Sequence, residues 1–104
     1  MPSAQDKATD LVFKALAAGS RRRILAILAA GPENSSCCFT EEFCGCDLTT
    51  ATGLGAPTVS HHMSVLIEAG LVCAEKRGTW VFYRLNTEAL SQAVEVLRAL
   101  IPDD

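Results

Sequence analysis

Residues 56–71 constrain the fold most, because they carry the signals of one helix with defined ends. Pro57 suits the first position of a helix, where its missing N–H leaves no hydrogen bond unmade. Apolar side chains recur at helical spacing, which predicts a buried face made of Val59, Met63, Leu66 and Ile67. Gly70 stands where a glycine commonly ends a helix. The segment therefore predicts a helix with one buried face and one polar face.

A shorter helix is predicted just upstream, over residues 48–52, with Asp47 as its N-cap. Residues 53–56 supply a glycine-bearing turn between the two helices. Such a pair is typical of a helix-turn-helix, whose second helix lies in the major groove of DNA. The outward polar positions of the second helix are candidate DNA contacts: Thr58, Ser60, His61 and Ser64. From composition alone, an ordinary helical hairpin with solvated polar positions remains an equal alternative.

Two strand-like runs follow at residues 71–74 and 80–85, joined by a charged turn that contains Arg77 and Gly78. They predict a β-hairpin beside the second helix, in the manner of a winged helix. Lys76, Arg77 and Thr79 at the hairpin tip are candidates for contacts with the DNA backbone or minor groove. Cys73, in the first of these strands, is interpreted as an ordinary packing residue.

Three further helices are predicted, over residues 6–18, 21–30 (with Ser20 as its N-cap) and 87–101. The fold class is therefore mainly α with a small β-hairpin, in the order α-α-α-α-β-β-α, and residues 1–104 form a single winged helix-turn-helix domain. The last helix carries a broad apolar face, and the hydrophobic content of 49% in so short a chain favours oligomerisation. The arginines at positions 21–23 are interpreted as solvated or paired within the protein rather than bound to phosphate.

Charge and composition narrow the class of protein. The net charge of −3 does not favour nucleic-acid binding, although residues 48–86 have a slight excess of positive charge. No apolar run reaches the roughly 18 residues that span a membrane, and no signal region begins the chain, so a cytoplasmic protein without a membrane partner is expected. An enzyme is not expected, because the sequence has neither a phosphate-binding loop nor paired acids suited to a cleft.

Four of the five cysteines fall within ten residues, in polar surroundings: Cys37, Cys38, Cys44 and Cys46. Thiolates are soft ligands, suited to arsenite, antimonite, cadmium, lead, zinc or cuprous ions. Residues two apart on a regular helix point about 200° away from each other. Cys44 and Cys46 therefore hold one ion only if the start of the neighbouring helix is distorted, which predicts a switch that disturbs the DNA-binding geometry. A thiol-redox or persulfide sensor and a structural zinc module are the alternatives.

Together, residues 16–25, 44–48, 57–66, 69–72 and 78–85 resemble the corresponding motifs of the ArsR/SmtB repressors. The resemblance covers residues 6–101. It implies a homodimeric winged helix that represses a double-stranded DNA operator until an inducer binds. It also implies dimerisation through the first and last helices.

The same resemblance narrows the inducer. The Cys-x-Cys-Asp-Leu motif at residues 44–48 is similar to that of the arsenic-sensing and cadmium- or lead-sensing branches. The arsenic pattern commonly has a third cysteine three positions later, where this chain has Thr49. We therefore expect Cys37 or Cys38 to complete a three-sulfur site for As(III) or Sb(III), in a repressor of arsenical resistance. Cd(II), Pb(II) or Zn(II) remain alternative inducers. His61 and His62 are expected to contact DNA or pack, rather than bind metal.

Overall fold

The computed structural model of the protein describes residues 3–30 and 43–103, and only the backbone of residues 43–47. Its elements in chain order are α1 (Ala4–Leu16), α2 (Gly19–Ala30), β1 (Phe43–Cys44), α3 (Gly45–Thr52), α4 (Ala56–Glu68), β2 (Val72–Arg77), β3 (Trp80–Leu85) and α5 (Thr87–Ala99). The predicted fold class is confirmed, and one short strand is added before α3. Within the described residues, no helix combines the length and the apolar character needed to cross a membrane.

The first two helices are joined through side chains of α2 that bind the end of α1. The Arg21 Nε donates to the Ala15 carbonyl at 2.7 Å, and the Arg22 Nη1 donates to the Leu16 carbonyl at 2.7 Å. These bonds satisfy carbonyls that a helix end leaves without partners. The helix α2 already begins at Gly19, so the predicted N-cap at Ser20 is wrong. The interpretation of these two arginines as paired within the protein is confirmed.

The helix α3 begins at Gly45, three residues earlier than predicted, so Asp47 lies in its first turn and is not its N-cap. The reason is tertiary, because the chain enters α3 directly from a strand that is paired to the sheet. The helix α4 begins at Ala56 with Pro57 in its first turn. Its predicted end is confirmed: Gly70 has φ +78°, its N–H donates to the Ile67 carbonyl, and the Leu71 N–H donates to the Leu66 carbonyl.

The sheet has three antiparallel strands in the order β1-β3-β2. The hairpin register runs from Val72 opposite Leu85 to Arg77 opposite Trp80. The strand β2 is therefore longer than predicted, and the turn contains only Gly78 and Thr79. The added strand β1 pairs with β3, and its Cys44 lies opposite Phe82.

One core lies beneath α4 and the sheet. Its most completely buried side chains are Ile24, Leu48, Met63, Leu66 and Leu71. Of the residues predicted to face inward from α4, Val59, Met63 and Leu66 are buried, whereas Ile67 is 40% exposed, so its assignment to the core is wrong. The helix α5 ends at Ala99, two residues earlier than predicted, and it buries only Ala93. Most of the predicted apolar face is exposed, on the helix and directly after it: Val94, Val96, Leu97, Leu100 and Ile101.

Candidate DNA-binding surface and thiol segment

The polar face of α4 is open to solvent. All four side chains predicted to contact DNA are exposed, at Thr58, Ser60, His61 and Ser64. Val59 and Met63 on the other face are buried, so packing fixes which side of the helix points outward. The Ser64 hydroxyl donates to the Ser60 carbonyl at 3.0 Å, which leaves its oxygen free to accept a hydrogen bond. The surface offers both donors and acceptors to base edges or phosphates.

The hairpin tip carries the three wing residues named from the sequence, and all three are exposed: Lys76, Arg77 and Thr79. The two cations differ in their surroundings. Arg77 makes a 2.7 Å ion pair with Glu75, and its guanidinium stacks over the Phe82 ring at 4.8 Å from the centroid. The hydrogen bond and charge of Arg77, helped by Arg84, hold the pKa of Glu75 below its ordinary value. Arg77 is therefore partly neutralised within the wing.

Trp80 is a wing residue that sequence reasoning did not name. It is 49% exposed and lies opposite Arg77, directly after the turn. An indole offers an N–H donor and an apolar face at this position. The available signal was a large aromatic residue placed two positions after the turn glycine, where packing against the core does not hold it.

The adjacent histidines of α4 have different environments. His61 is exposed, whereas His62 is half-buried, and its Nδ1 lies 3.3 Å from the Arg21 Nη1. Burial, then the charges of Arg21 and His61, lower the pKa of His62 below its ordinary value of 6.5. His62 thus packs against α2, and His61 remains on the open face.

The backbone of the thiol segment joins two elements. Cys44 ends β1, and Cys46 lies in the first turn of α3. The two cysteines therefore do not both belong to one regular helix, and the 200° argument for a distorted helix does not apply to them. An ion held by both must instead bridge the end of a strand and the start of a helix.

The predicted set of metal ligands is only partly within the described residues. Cys37 and Cys38 lie outside them, so their part in the site stays a prediction. Within residues 3–30 and 43–103, no group of three or more histidine, cysteine or acidic residues is arranged to hold a metal ion. Leu48, two residues after Cys46, is fully buried and fixes α3 to the core.

Cys73 stands apart from the other thiols. It is exposed in β2, opposite Arg84 on β3, so its interpretation as a packing residue is wrong. The alternation of the strand explains this, because the neighbouring Val72 takes the inward position and is 2% exposed.

Comparisons with known proteins agree with this architecture. Residues 19–73 match the family of bacterial regulatory proteins described as the arsR family. An arsenic resistance transcriptional regulator of Pseudomonas putida is 33% identical over 91 residues, which cover 88% of this chain and 64% of that protein's length. An arsenical resistance operon repressor of Staphylococcus aureus is 32% identical over 94 residues, covering 90% of this chain and 81% of the repressor.

The solved structures include the homodimeric winged helix-turn-helix DNA-binding domain of a Mycobacterium bovis protein. It superposes with a TM-score of 0.68 and is 31% identical, covering 89% of this chain and 78% of that domain. The family match and the shared winged helix-turn-helix fold agree, and the chain belongs to the ArsR family of bacterial regulatory proteins.

Proposed function

We propose that the chain is a transcriptional repressor that binds operator DNA as a homodimer and releases it when As(III) or Sb(III) binds to cysteine thiolates. The observation that carries the proposal is the junction at residues 44–46, where the Cys-x-Cys motif joins a strand of the winged sheet to the helix that precedes α4. The names of the Pseudomonas and Staphylococcus relatives support an arsenical inducer. Binding to operator DNA implies a cytoplasmic location.

The DNA-binding part of the proposal rests on the two exposed polar surfaces. The face of α4 would read base edges through Thr58, Ser60, His61 and Ser64, and Lys76, Arg77 and Thr79 of the wing would contact the backbone or minor groove. Because phosphate contacts release counterions, operator affinity should fall steeply with salt concentration despite the net charge of −3. An affinity independent of salt would contradict this assignment.

The inducer site is proposed to consist of Cys44, Cys46 and one thiol from Cys37 or Cys38. Three soft sulfur donors match the preference of trivalent arsenic and antimony. An ion bridging Cys44 and Cys46 would draw together the end of β1 and the first turn of α3. The strand β1 pairs with β3 of the wing, and α3 packs against α4, so both DNA-contacting elements adjoin the site. Release of the DNA then requires that the inducer bind more tightly to the conformation of the protein that has low affinity for DNA.

The homodimer is proposed to form through α1 and α5. Exposed apolar side chains lie on both helices in the single chain, with Leu11 on α1 and Leu97 on α5, and Leu100 follows directly after α5. The description of the Mycobacterium domain as homodimeric supports a dimer of this chain. Residues 1–104 are proposed to act as one DNA-binding domain within that dimer.

The test is operator binding by reduced protein, titrated separately with As(III), Sb(III), Cd(II), Pb(II), Zn(II) and a persulfide donor. Trivalent metalloids should release the DNA. Cys44→Ser and Cys46→Ser should each bind DNA normally and lose that response. Cys73→Ser is the matched control, because it removes an exposed thiol outside the cluster and should leave both properties unchanged.

Other outcomes separate the alternatives. Release by the persulfide donor, with no response to metalloids, would establish a redox sensor and reject the proposed inducer. Release by Cd(II), Pb(II) or Zn(II) alone would establish a metal-ion sensor. If the double variant Cys37→Ser/Cys38→Ser responds normally to As(III), the third ligand is assigned wrongly.

A further inference from the structure

The side chain of Arg21, on α2, contacts two other helices, α1 and α4. From the first turn of α2 its Nε donates to the Ala15 carbonyl at 2.7 Å, and its Nη2 donates to the Lys14 carbonyl at 3.3 Å. Its third group, Nη1, lies 3.3 Å from Nδ1 of His62 on α4. One planar guanidinium therefore connects the end of α1 to the helix proposed to read DNA.

The chemistry of the two groups fixes the direction of the bond between them. A guanidinium has five N–H donors and no acceptor. Nδ1 of His62 must therefore accept, which requires that it carry no proton. Neutral His62 is then the tautomer that is protonated on Nε2.

We propose that Arg21 is a positioning residue for DNA recognition: it holds α4 against the end of α1 through His62, and it does so only while Nδ1 of His62 is unprotonated. The inference rests on the proposed reading of DNA by α4. His62 packs against α2, and the neighbouring residue, His61, lies on the open face. A rotation of α4 about its axis would therefore displace the side chains proposed to contact the bases. Arg21 needs no contact with DNA to affect its recognition.

Protonation of His62 on Nδ1 would make its contact with Arg21 repulsive. The imidazolium would present an N–H donor to a guanidinium that also only donates, and two cations would stand 3.3 Å apart between Nδ1 and Nη1. The fields that act on His62 come from Arg21 on α2 and His61 on α4, and both lower its pKa, as burial does. Since the folded protein binds this proton less readily than the unfolded chain, the contribution of His62 to stability is full above pH 6.5 and is lost as the pH falls through its lowered value.

Arg22 provides a matched control for Arg21. The Arg22 Nη1 donates to the Leu16 carbonyl in the last turn of α1, and within the described residues Arg22 makes no hydrogen bond or ion pair with α4. Arg21→Gln and Arg22→Gln each remove one positive charge; Arg21→Gln also removes two hydrogen bonds to the end of α1, and Arg22→Gln removes one. Arg21→Gln should weaken operator affinity about tenfold, the effect of losing one charge-assisted hydrogen bond. Arg22→Gln should change the operator affinity by less than about twofold.

Nitrogen NMR of the histidine side chains tests the contact without DNA. In the native protein His62 should be the Nε2–H tautomer with Nδ1 accepting a hydrogen bond, and its pKa should lie below 6.5. In Arg21→Gln the pKa should move back toward that value, and in Arg22→Gln it should not. If Arg21→Gln fails to fold, the tautomer and titration of native His62 still decide the question.

The pH profile of operator binding supplies the remaining readout. His61→Gln leaves His62 as the only histidine of the chain, and the operator affinity of this variant should fall as the pH drops below 6.5. His61→Gln/His62→Gln should show no such fall, since a glutamine oxygen accepts from Arg21 without titrating. An Nδ1–H tautomer, identical pH profiles, or equal effects of Arg21→Gln and Arg22→Gln would overturn the proposal. A native protein that binds no operator would instead reject the proposed function, while the NMR result would still stand.

Discussion

At the scale of single residues, neighbouring cations in the wing differ in how available their charges are. Arg77 is held by Glu75 and by the Phe82 ring. Lys76 is exposed and has no ion-pair partner among the described residues. A charge that is already paired loses part of its attraction for phosphate, because binding must first break or screen the existing pair. Lys76 is therefore expected to be the more effective phosphate contact.

Lys76→Gln should weaken binding to any DNA sequence by a similar factor. It should also reduce the slope of log affinity against log salt concentration by about 1, the value for one lost phosphate contact. Fluorescence anisotropy over a series of salt concentrations measures both quantities. Lys7→Gln, which removes an exposed charge from α1, is the control and should leave the slope unchanged. An unchanged slope for Lys76→Gln would exclude this lysine from the interface.

At the scale of elements, the end of α4 depends on a single backbone conformation. Gly70 has φ +78°, and a Cβ added there would meet nothing within 4 Å. The cost of a side chain at Gly70 is therefore conformational and not steric. Gly19 provides the contrast, because it begins α2 without a positive φ, and a Cβ there would make ordinary contact with Arg22 at 3.6 Å.

Gly70→Ala should lower the free energy of unfolding by about 1 kcal/mol, since alanine is strained in the left-handed region. Gly19→Ala should raise it by up to about 1 kcal/mol, because alanine favours the helix and reduces the entropy of the unfolded chain. Urea unfolding of both variants measures the difference. Changes of the same sign in the two variants would contradict the assignment of the helix end.

At the scale of the whole molecule, α5 and the two residues that follow it expose an apolar surface that the proposed dimer would cover. Leu97, Leu100 and Ile101 are 51%, 75% and 68% exposed in the single chain. Burying one such side chain fully contributes roughly 1.5–3 kcal/mol. A chain of this length has a small core of its own, so the proposed dimer should supply much of its stability.

Leu97→Glu should convert the dimer to a monomer and lower its thermal stability, because a carboxylate would be buried in an apolar interface. Ser91→Glu adds the same charge to the polar face of α5, beside Glu95 and Arg98, and should remain dimeric. Sedimentation at several protein concentrations distinguishes the two states. A Leu97→Glu variant that remains dimeric would locate the interface elsewhere.

Local signals in the sequence determined several features of this protein. Pro57 and Gly70 marked the ends of α4 because their backbone preferences act within a few residues. The helical spacing of its apolar residues identified the open face of that helix and its four candidate DNA contacts. The sequence also placed Lys76, Arg77 and Thr79 near the end of the hairpin. The thiol cluster was visible as a set of residues, although its ligand geometry is still a prediction.

Other features were decided only by contacts between distant parts of the chain. Because Cys44 pairs with Phe82 in the sheet, α3 begins earlier than the sequence predicted. The hydrogen bond between Arg21 and His62 joins residues that are 41 positions apart. Ile67 and Cys73 proved exposed because neighbouring residues took the inward positions. Periodicity reports which residues share a face, but it cannot report what covers that face. That depends on the packing of the elements, since burial and long-range hydrogen bonds exist only once the tertiary structure has formed.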